Sequence, residues 1–268
     1  MSLSSSSRAL AAVLLAVVAC AHPSAPNEPL ASAPRPGASV ASVGGVPSSS
    51  AAVVASAASA ASVELPAPPP APRHLDVHLV PLGDVSADTL ADTADALRAH
   101  APVDVVIESR RPLPASASVG ANRFRAEKLL EFLASLPLSL QTGGAKVMGV
   151  AAVDIVTTKG GNPTWGILGL GAIDGRCSVL STFRIERAWE KGGGASAALV
   201  HARLWKVSLH ELGHTLGLPH CPRARCIMED AHGTVQTVDG EDALCPECAA
   251  RFEAAIASGA ALGAPTPD

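Results

Sequence analysis

The chain has 268 residues, a formal net charge of −4 and 3% aromatic residues, with Lys and Arg scattered along its length, so it carries no basic footprint for nucleic acid. Residues 21–72 are almost wholly Ala, Ser, Pro, Val and Gly, a composition that cannot bury enough apolar surface to offset its ordering entropy. What remains, residues 73–258, has the length of one globular domain with its own core.

The N-terminus reads "MSLSSSSRALAAVLLAVVAC", in which Arg8 precedes an apolar run from Ala9 to Ala19. That run is too short to cross a bilayer as a helix, which takes about 20 residues, and it has the size of a secretory h-region. Its end, "VVAC", resembles the lipobox of bacterial lipoproteins. The resemblance implies a signal peptide over 1–19 and a lipidated Cys20 at the start of a Pro-stiffened tether over 20–72. An ordinary cleaved signal peptide and an N-terminal helix are the competing readings. The expected location is the bacterial cell envelope, lipid-anchored at a membrane, with secretion as the alternative. A monomer is expected.

A strand is predicted over "HLDVHLVPLG" (74–83), which alternates apolar and polar residues before Pro81 and Gly83 break it. A helix follows over 86–100, with Ser86 as N-cap and Leu90 and Leu97 on one face. "VDVVIES" (103–109) reads as a second strand, "RFRAEKLLEFLASL" (123–136) as a second helix and "KVMGVAAVDIV" (146–156) as a third strand. The βαβαβ order implies an α/β or α+β layer with a mixed sheet. "WGILGLGAIDGRCSVLSTFRI" (165–185) reads as two short strands joined through Gly171 to Arg176, one of them a possible exposed edge. A long helix over 194–218 stops at Gly217, and residues 259–268 form a flexible tail.

On the long helix, Trp205, Leu209, Leu212 and Leu216 form one apolar stripe. His210 and His214 fall nearly opposite it, at the i, i+4 spacing that places two side chains one above the other. Gly217 can take φ > 0 and reverse the chain, so that His220 returns as a third ligand. Three neutral imidazoles around Zn²⁺ leave a fourth position open, as in a catalytic site. Glu211 sits beside the pair and is not needed as a ligand, so its carboxylate is free to take a proton from a zinc-activated water. The bland alternative is an ordinary amphipathic helix with satisfied histidines. Against it stands the complete H-E-x-x-H-x-x-G-x-x-H, which sits on a predicted helix that ends at its own Gly.

Four cysteines follow as Cys221-x4-Cys226 and Cys245-x2-Cys248. Two short-spaced pairs across a loop suit a closed, tetrahedral structural zinc site. Disulfides compete, because an exported domain meets an oxidising compartment, and a redox-active "CPEC" is a third option.

The run H-E-x-x-H-x-x-G-x-x-H-C-x4-C-x-M followed by C-x2-C resembles the archaemetzincins, a family of metzincin-type zinc metallopeptidases, over residues 74 to about 253. The resemblance implies a metzincin-like α/β (α+β) fold, with a twisted mixed sheet, packed helices, a long active-site helix and a zinc-stabilised C-terminal subdomain. It implies that His210, His214 and His220 bind a catalytic zinc, that Glu211 is the general base and acid, and that Met228 is the Met-turn residue beneath the metal. It implies a second zinc on Cys221, Cys226, Cys245 and Cys248. Its substrate would be a peptide or protein paired to an edge strand, for which the stretch from Val179 to Phe183 is the candidate. The activity expected is peptide-bond hydrolysis, and the alternative is a membrane-tethered, zinc-containing peptide-binding module with little or no turnover.

Two departures stand out. Sixteen residues separate Met228 from Cys245, one fewer than the family pattern, which a surface loop tolerates. The chain has no Tyr, so transition-state help of the kind that some metzincins draw from one must come from another group or be absent. Elsewhere, Cys177 reads as a buried small hydrophobe. Asp230 and His232 read as solvated loop residues or partners of a zinc histidine. His74, His78, His100 and His201 carry no ligand spacing, and Trp165, Trp189 and Trp205 are expected in the core.

Overall fold

The computed structural model describes residues 74–137, 144–187 and 194–258. The expected signal peptide, Cys20, the expected tether, Trp189 and the expected tail lie outside the described residues. No helix among the described residues is long and apolar enough to cross a membrane.

The predicted β1 (Leu75–Leu82), α1 (Ala87–His100) and β2 (Val103–Ile107) form in order. The Ser86 hydroxyl caps α1 by accepting from the Thr89 N–H at 3.0 Å. Beyond them the sequence reading needs correction. Residues 123–125 are a short strand, β3 (Arg123–Arg125), before α2 (Ala126–Ala134) begins. The single strand expected over 146–156 is two, β4 (Lys146–Ala151) and β5 (Asp154–Lys159), which belong to different sheets. The chain bends at Ala152 and Val153, a break that the nearly continuous apolar run does not signal. β6 (Asn162–Ile167), β7 (Gly169–Gly171), β8 (Cys177–Ser181) and the single-turn α3 (Thr182–Ile185) follow. α4 (Ala197–Thr215) is the long helix, N-capped by Ser196, and α5 (Val235–Gly240) and α6 (Pro246–Ala257) complete the elements of the described residues.

The main sheet runs β2-β1-β4-β8-β7, with β1 parallel to both β2 and β4, β4 parallel to β8, and β7 antiparallel to β8. A smaller sheet runs β3-β5-β6. The expected substrate edge at Val179–Phe183 is therefore displaced. β8 lies inside the sheet, Phe183 is in α3, and the edge strand on that side is β7.

Side chains of the main sheet alternate between two cores, as period-2 strands must. Val77, Leu79, Met148, Val150 and Leu180 face the core built with α1, α4 and α6. Val80, Leu82, Val147, Ala151 and Val179 face the core built with α2. Burial on both faces explains why the central strands read as nearly continuous apolar runs. Cys177 packs in the α2-side core, where burial pushes its thiol up to about 11 and leaves it inert. Trp205 packs against the α4-side core and stacks on His100 at 4.1 Å, but Trp165 is 36% exposed, contrary to its expected place in the core.

Polar groups lock α4 to its surroundings. The buried Arg203 donates to both carboxylate oxygens of Asp239, at 2.6 and 2.7 Å, and to the carbonyls of Ile185 and Arg187. Lys146 is buried at the start of β4 and donates to the carbonyls of Thr215 (2.8 Å) and Gly175 (3.0 Å), placing a cation at the C-terminus of α4.

Glu241, just past α5, is buried, and burial pushes its carboxyl up to about 8 against the opposing pull of Lys206. A carboxyl raised above its unfolded value favours folding while protonated and loses that contribution as pH rises from about 4.5 to about 8. Glu241→Gln should therefore gain stability relative to the natural chain across that window when urea midpoints are compared at successive pH values. A difference that stays constant with pH would contradict this placement of the charge.

Candidate metal centre

The site is built at the C-terminal end of α4. Leu216 caps the helix and Gly217, at φ 84°, reverses the chain. The Leu218 N–H reaches the Gly213 carbonyl at 3.0 Å and the Gly217 N–H reaches that of His214 at 2.9 Å, the paired bonds of a Schellman turn. This reversal brings His220 back over His210 and His214. The three ring centroids lie 4.6 to 5.3 Å apart, and one nitrogen from each ring falls within 4.8 Å of the others.

Two of the rings have a fixed tautomer. His210 Nδ1 lies 2.6 Å from the Ile227 carbonyl and His214 Nδ1 lies 2.8 Å from the Leu218 carbonyl. A carbonyl only accepts, so each Nδ1 carries the hydrogen and each Nε2 keeps its lone pair. Burial lowers His210 to about 3 and His214 to about 4, and it lowers His220 as well, so the rings stay neutral at physiological pH. Three converging neutral imidazoles, two of them anchored by backbone carbonyls, fit the donor set of a zinc site.

Glu211 is not one of the converging groups, and its carboxylate lies beneath β7. It is buried, and burial pushes it up to about 8 despite a hydrogen bond from the Gly171 N–H. Its Oε2 has no hydrogen-bond partner among the described residues. β7 can lie this close only because it is glycine-rich. A Cβ at Gly171 would sit 2.6 Å from the Glu211 carbonyl oxygen and 2.7 Å from His214 Cβ, and one at Gly169 would collide with the Glu211 carboxylate. Gly169 and Gly171 are the site-shaping residues that sequence reasoning missed. Their spacing in "GLG" was the available signal, since alternate residues of a strand share a face.

Met228 is fully buried, with its sulfur packed against Gly213 of α4. Asp230 pairs with Lys159 at 3.0 Å and with His232 Nδ1 at 3.2 Å. Burial works against its charge, yet the His232 N–H and Lys159 hold it at about 2. Neither Asp230 nor His232 makes a hydrogen bond to His220 among the described residues.

The structure also brings together Cys221, Cys226, Cys245 and Cys248, with all four sulfurs within 4.8 Å of one another and none in a disulfide. The Cys221 and Cys245 sulfurs are 3.9 Å apart. A disulfide needs about 2.05 Å, whereas sulfurs bound at about 2.3 Å on the corners of a tetrahedron stand about 3.8 Å apart. Cys245 N-caps α6, and the Cys248 N–H pulls its thiol down to about 7. Burial raises Cys226 and Cys248. The two clusters share a short piece of backbone. The Cys221 N–H donates to the Met228 carbonyl at 2.7 Å, and the Ile227 carbonyl that orients His210 follows Cys226 directly.

The profile of Peptidase family M54 matches residues 92–254. The archaemetzincin of Haloquadratum walsbyi is 30% identical over 176 residues, covering 64% of this chain and 96% of that protein. The archaemetzincin of Halobacterium salinarum is 32% identical, with the same coverage of each. Among solved structures, the archaemetzincin of Archaeoglobus fulgidus, complexed with malonate, superposes with a TM-score of 0.54 at 26% identity. It covers 66% of this chain and 99% of that one. That of Methanopyrus kandleri, at 24% identity, shares the fold with a TM-score of 0.56, covering 68% and 96%.

The shared backbone sets an expectation for Cys221→Ser. Although Cys221 is not one of the three histidine ligands, the substitution should weaken zinc binding at the histidine cluster by about tenfold or more, as loss of an outer partner does. Competition against a chromophoric chelator measures this, and an unchanged affinity would break the proposed link.

Proposed function

Since the chain belongs to peptidase family M54, the archaemetzincins, and is a zinc metallopeptidase, we propose that it hydrolyses peptide bonds at the three-histidine cluster, with Glu211 as general base and acid. The observation that carries this reading is the pairing of three converging neutral imidazoles with a buried carboxylate that is not one of them.

His210, His214 and His220 would hold the zinc through their free ring nitrogens. When bound, the ion supplies Lewis acidity, which polarises a carbonyl and lowers the pKa of water toward ~7. The chain's own part is positional. The Ile227 and Leu218 carbonyls keep two rings facing the ion without a proton to displace. A cation beside Glu211 favours its ionised form against the burial that raises it, so that Oε2 can take a proton from water and return it to the leaving amine. β7 is the edge strand of the main sheet on the site's side, and its backbone would pair with an extended substrate.

The four-cysteine cluster would hold a second, structural zinc, which has no place for substrate and pins the segment behind His220. Two zincs per chain follow, with Met228 as the buried support under the first. The domain, residues 73–258, would act as a monomer in the cell envelope, tethered through a lipid on Cys20. The basis for that is the "VVAC" run and the composition of residues 21–72.

Glu211→Gln should lower peptide cleavage by about 10²- to 10⁴-fold, the span of a general base, with zinc content unchanged. The comparison is made on a broad peptide library with metal analysis of both proteins. Equal inertness of the two, each with its full zinc complement, would instead favour a tethered peptide-binding module.

A further inference from the structure

A cavity of about 280 Å³ is lined by Arg184, Arg187 and the run from Gly233 to Gln236. The chain path places it. Met228 is buried under α4, Asp230 and His232 act electrostatically on His220, and Gly233, the next residue, begins the cavity wall. Gly166, whose carbonyl packs against Gly233, lies three residues before Gly169, which covers the Glu211 carboxylate, a span of at most about 11 Å, so the cavity opens within a few substrate residues of Glu211.

Its cationic lining is held rigidly. Arg184 donates through Nε to Asp154 Oδ1 at 2.7 Å and through Nη2 to Oδ2 at 3.1 Å. Its guanidinium lies flat on β6, in the space that a side chain at Gly166 would fill, and the Gly166 carbonyl is in turn packed against Gly233. Asp154 also accepts from Arg123 Nε at 2.8 Å, so one carboxylate is shared by two guanidiniums and positive charge is left over. Arg187 adds a further, exposed cation, stacked over the Phe183 ring at 4.3 Å. Arg184 Nη1 has no hydrogen-bond partner among the described residues. A fork fixed on two of its nitrogens and free on the third loses little entropy when it binds a second carboxylate.

We infer that this cavity selects substrates by accepting the side chain of a Glu or Asp, whose carboxylate meets Nη1 of Arg184 in the field of Arg187. The inference rests on the peptidase reading and names its substrate class. It also gives a side. Gly166 lies just N-terminal to β7, and a peptide laid antiparallel on β7, the commoner pairing, runs its C-terminal half past β6. The preferred acid is therefore on the C-terminal side of the scissile bond.

The test uses the zinc-loaded full chain and matched peptides that differ only as Glu against Gln, or Asp against Asn, at each position following the scissile bond. The acid should be favoured in kcat/KM by about tenfold or more at its best position, the worth of one charge-assisted hydrogen bond. That ratio should fall as salt rises. Arg184→Gln should bring it near unity. Arg187→Glu, an exposed substitution that leaves the Asp154 pair intact, should lower it independently of any folding defect. Cleavage with no acid preference, a preference confined to positions before the bond, or a preference that neither variant moves would overturn the assignment. If neither peptide series is cleaved at all, the peptidase reading itself falls, a result distinct from unselective cleavage.

Discussion

The hydrogen bond from His210 Nδ1 to the Ile227 carbonyl is the contact on which the site turns. It joins the end of α4 to the segment that carries Cys226, Ile227 and Met228, and it decides which ring nitrogen keeps a lone pair. Its counterpart, His214 Nδ1 to the Leu218 carbonyl, does the same on the near side of the Gly217 reversal. Imidazoles held this way are neutral and aimed before any metal arrives, so little ordering entropy is left to oppose binding.

The rest of the fold can be read as support for that junction. Lys146 clamps the last carbonyl of α4 to the start of the central strand β4, and Arg203 fastens the helix to Asp239 of α5. β7 closes over Glu211 through two glycines, which keeps the carboxylate dry and short of partners. The cysteine cluster holds the far side of the junction, where α6 begins. Lys146 and Arg203 are buried, and each would be costly if left unpaired.

What could be read from the sequence follows from the range of the interactions involved. The helix and its ligand spacing, the Ser86 cap and the Gly217 stop are local, so His210, His214, His220 and Glu211 could be singled out from a few turns of pattern. The cysteine pairs were legible by spacing, but only the sulfur separations argue against a disulfide. Non-local features were missed. Residues 146–156 read as one strand because a doubly buried run hides its bend. β8 was mistaken for an edge because strand order is set by pairings distant in sequence. α6 was not expected, although Pro246 in its first turn marks its start, and the fit of Gly169 and Gly171 against Glu211 depends on two elements about forty residues apart. Trp165, expected inside, stands partly exposed beside the loop at Gly233.

The central claim is that two different donor sets, three imidazoles and four thiolates, meet at one stretch of backbone and each hold one ion. Zinc X-ray absorption on the metal-loaded full chain tests it most directly. The account predicts two zincs per chain and two resolved shells, nitrogen or oxygen near 2.0 Å and sulfur near 2.3 Å, with Cys221→Ser depleting the sulfur shell. A single zinc per chain, or a spectrum with only one of the two shells, would contradict it.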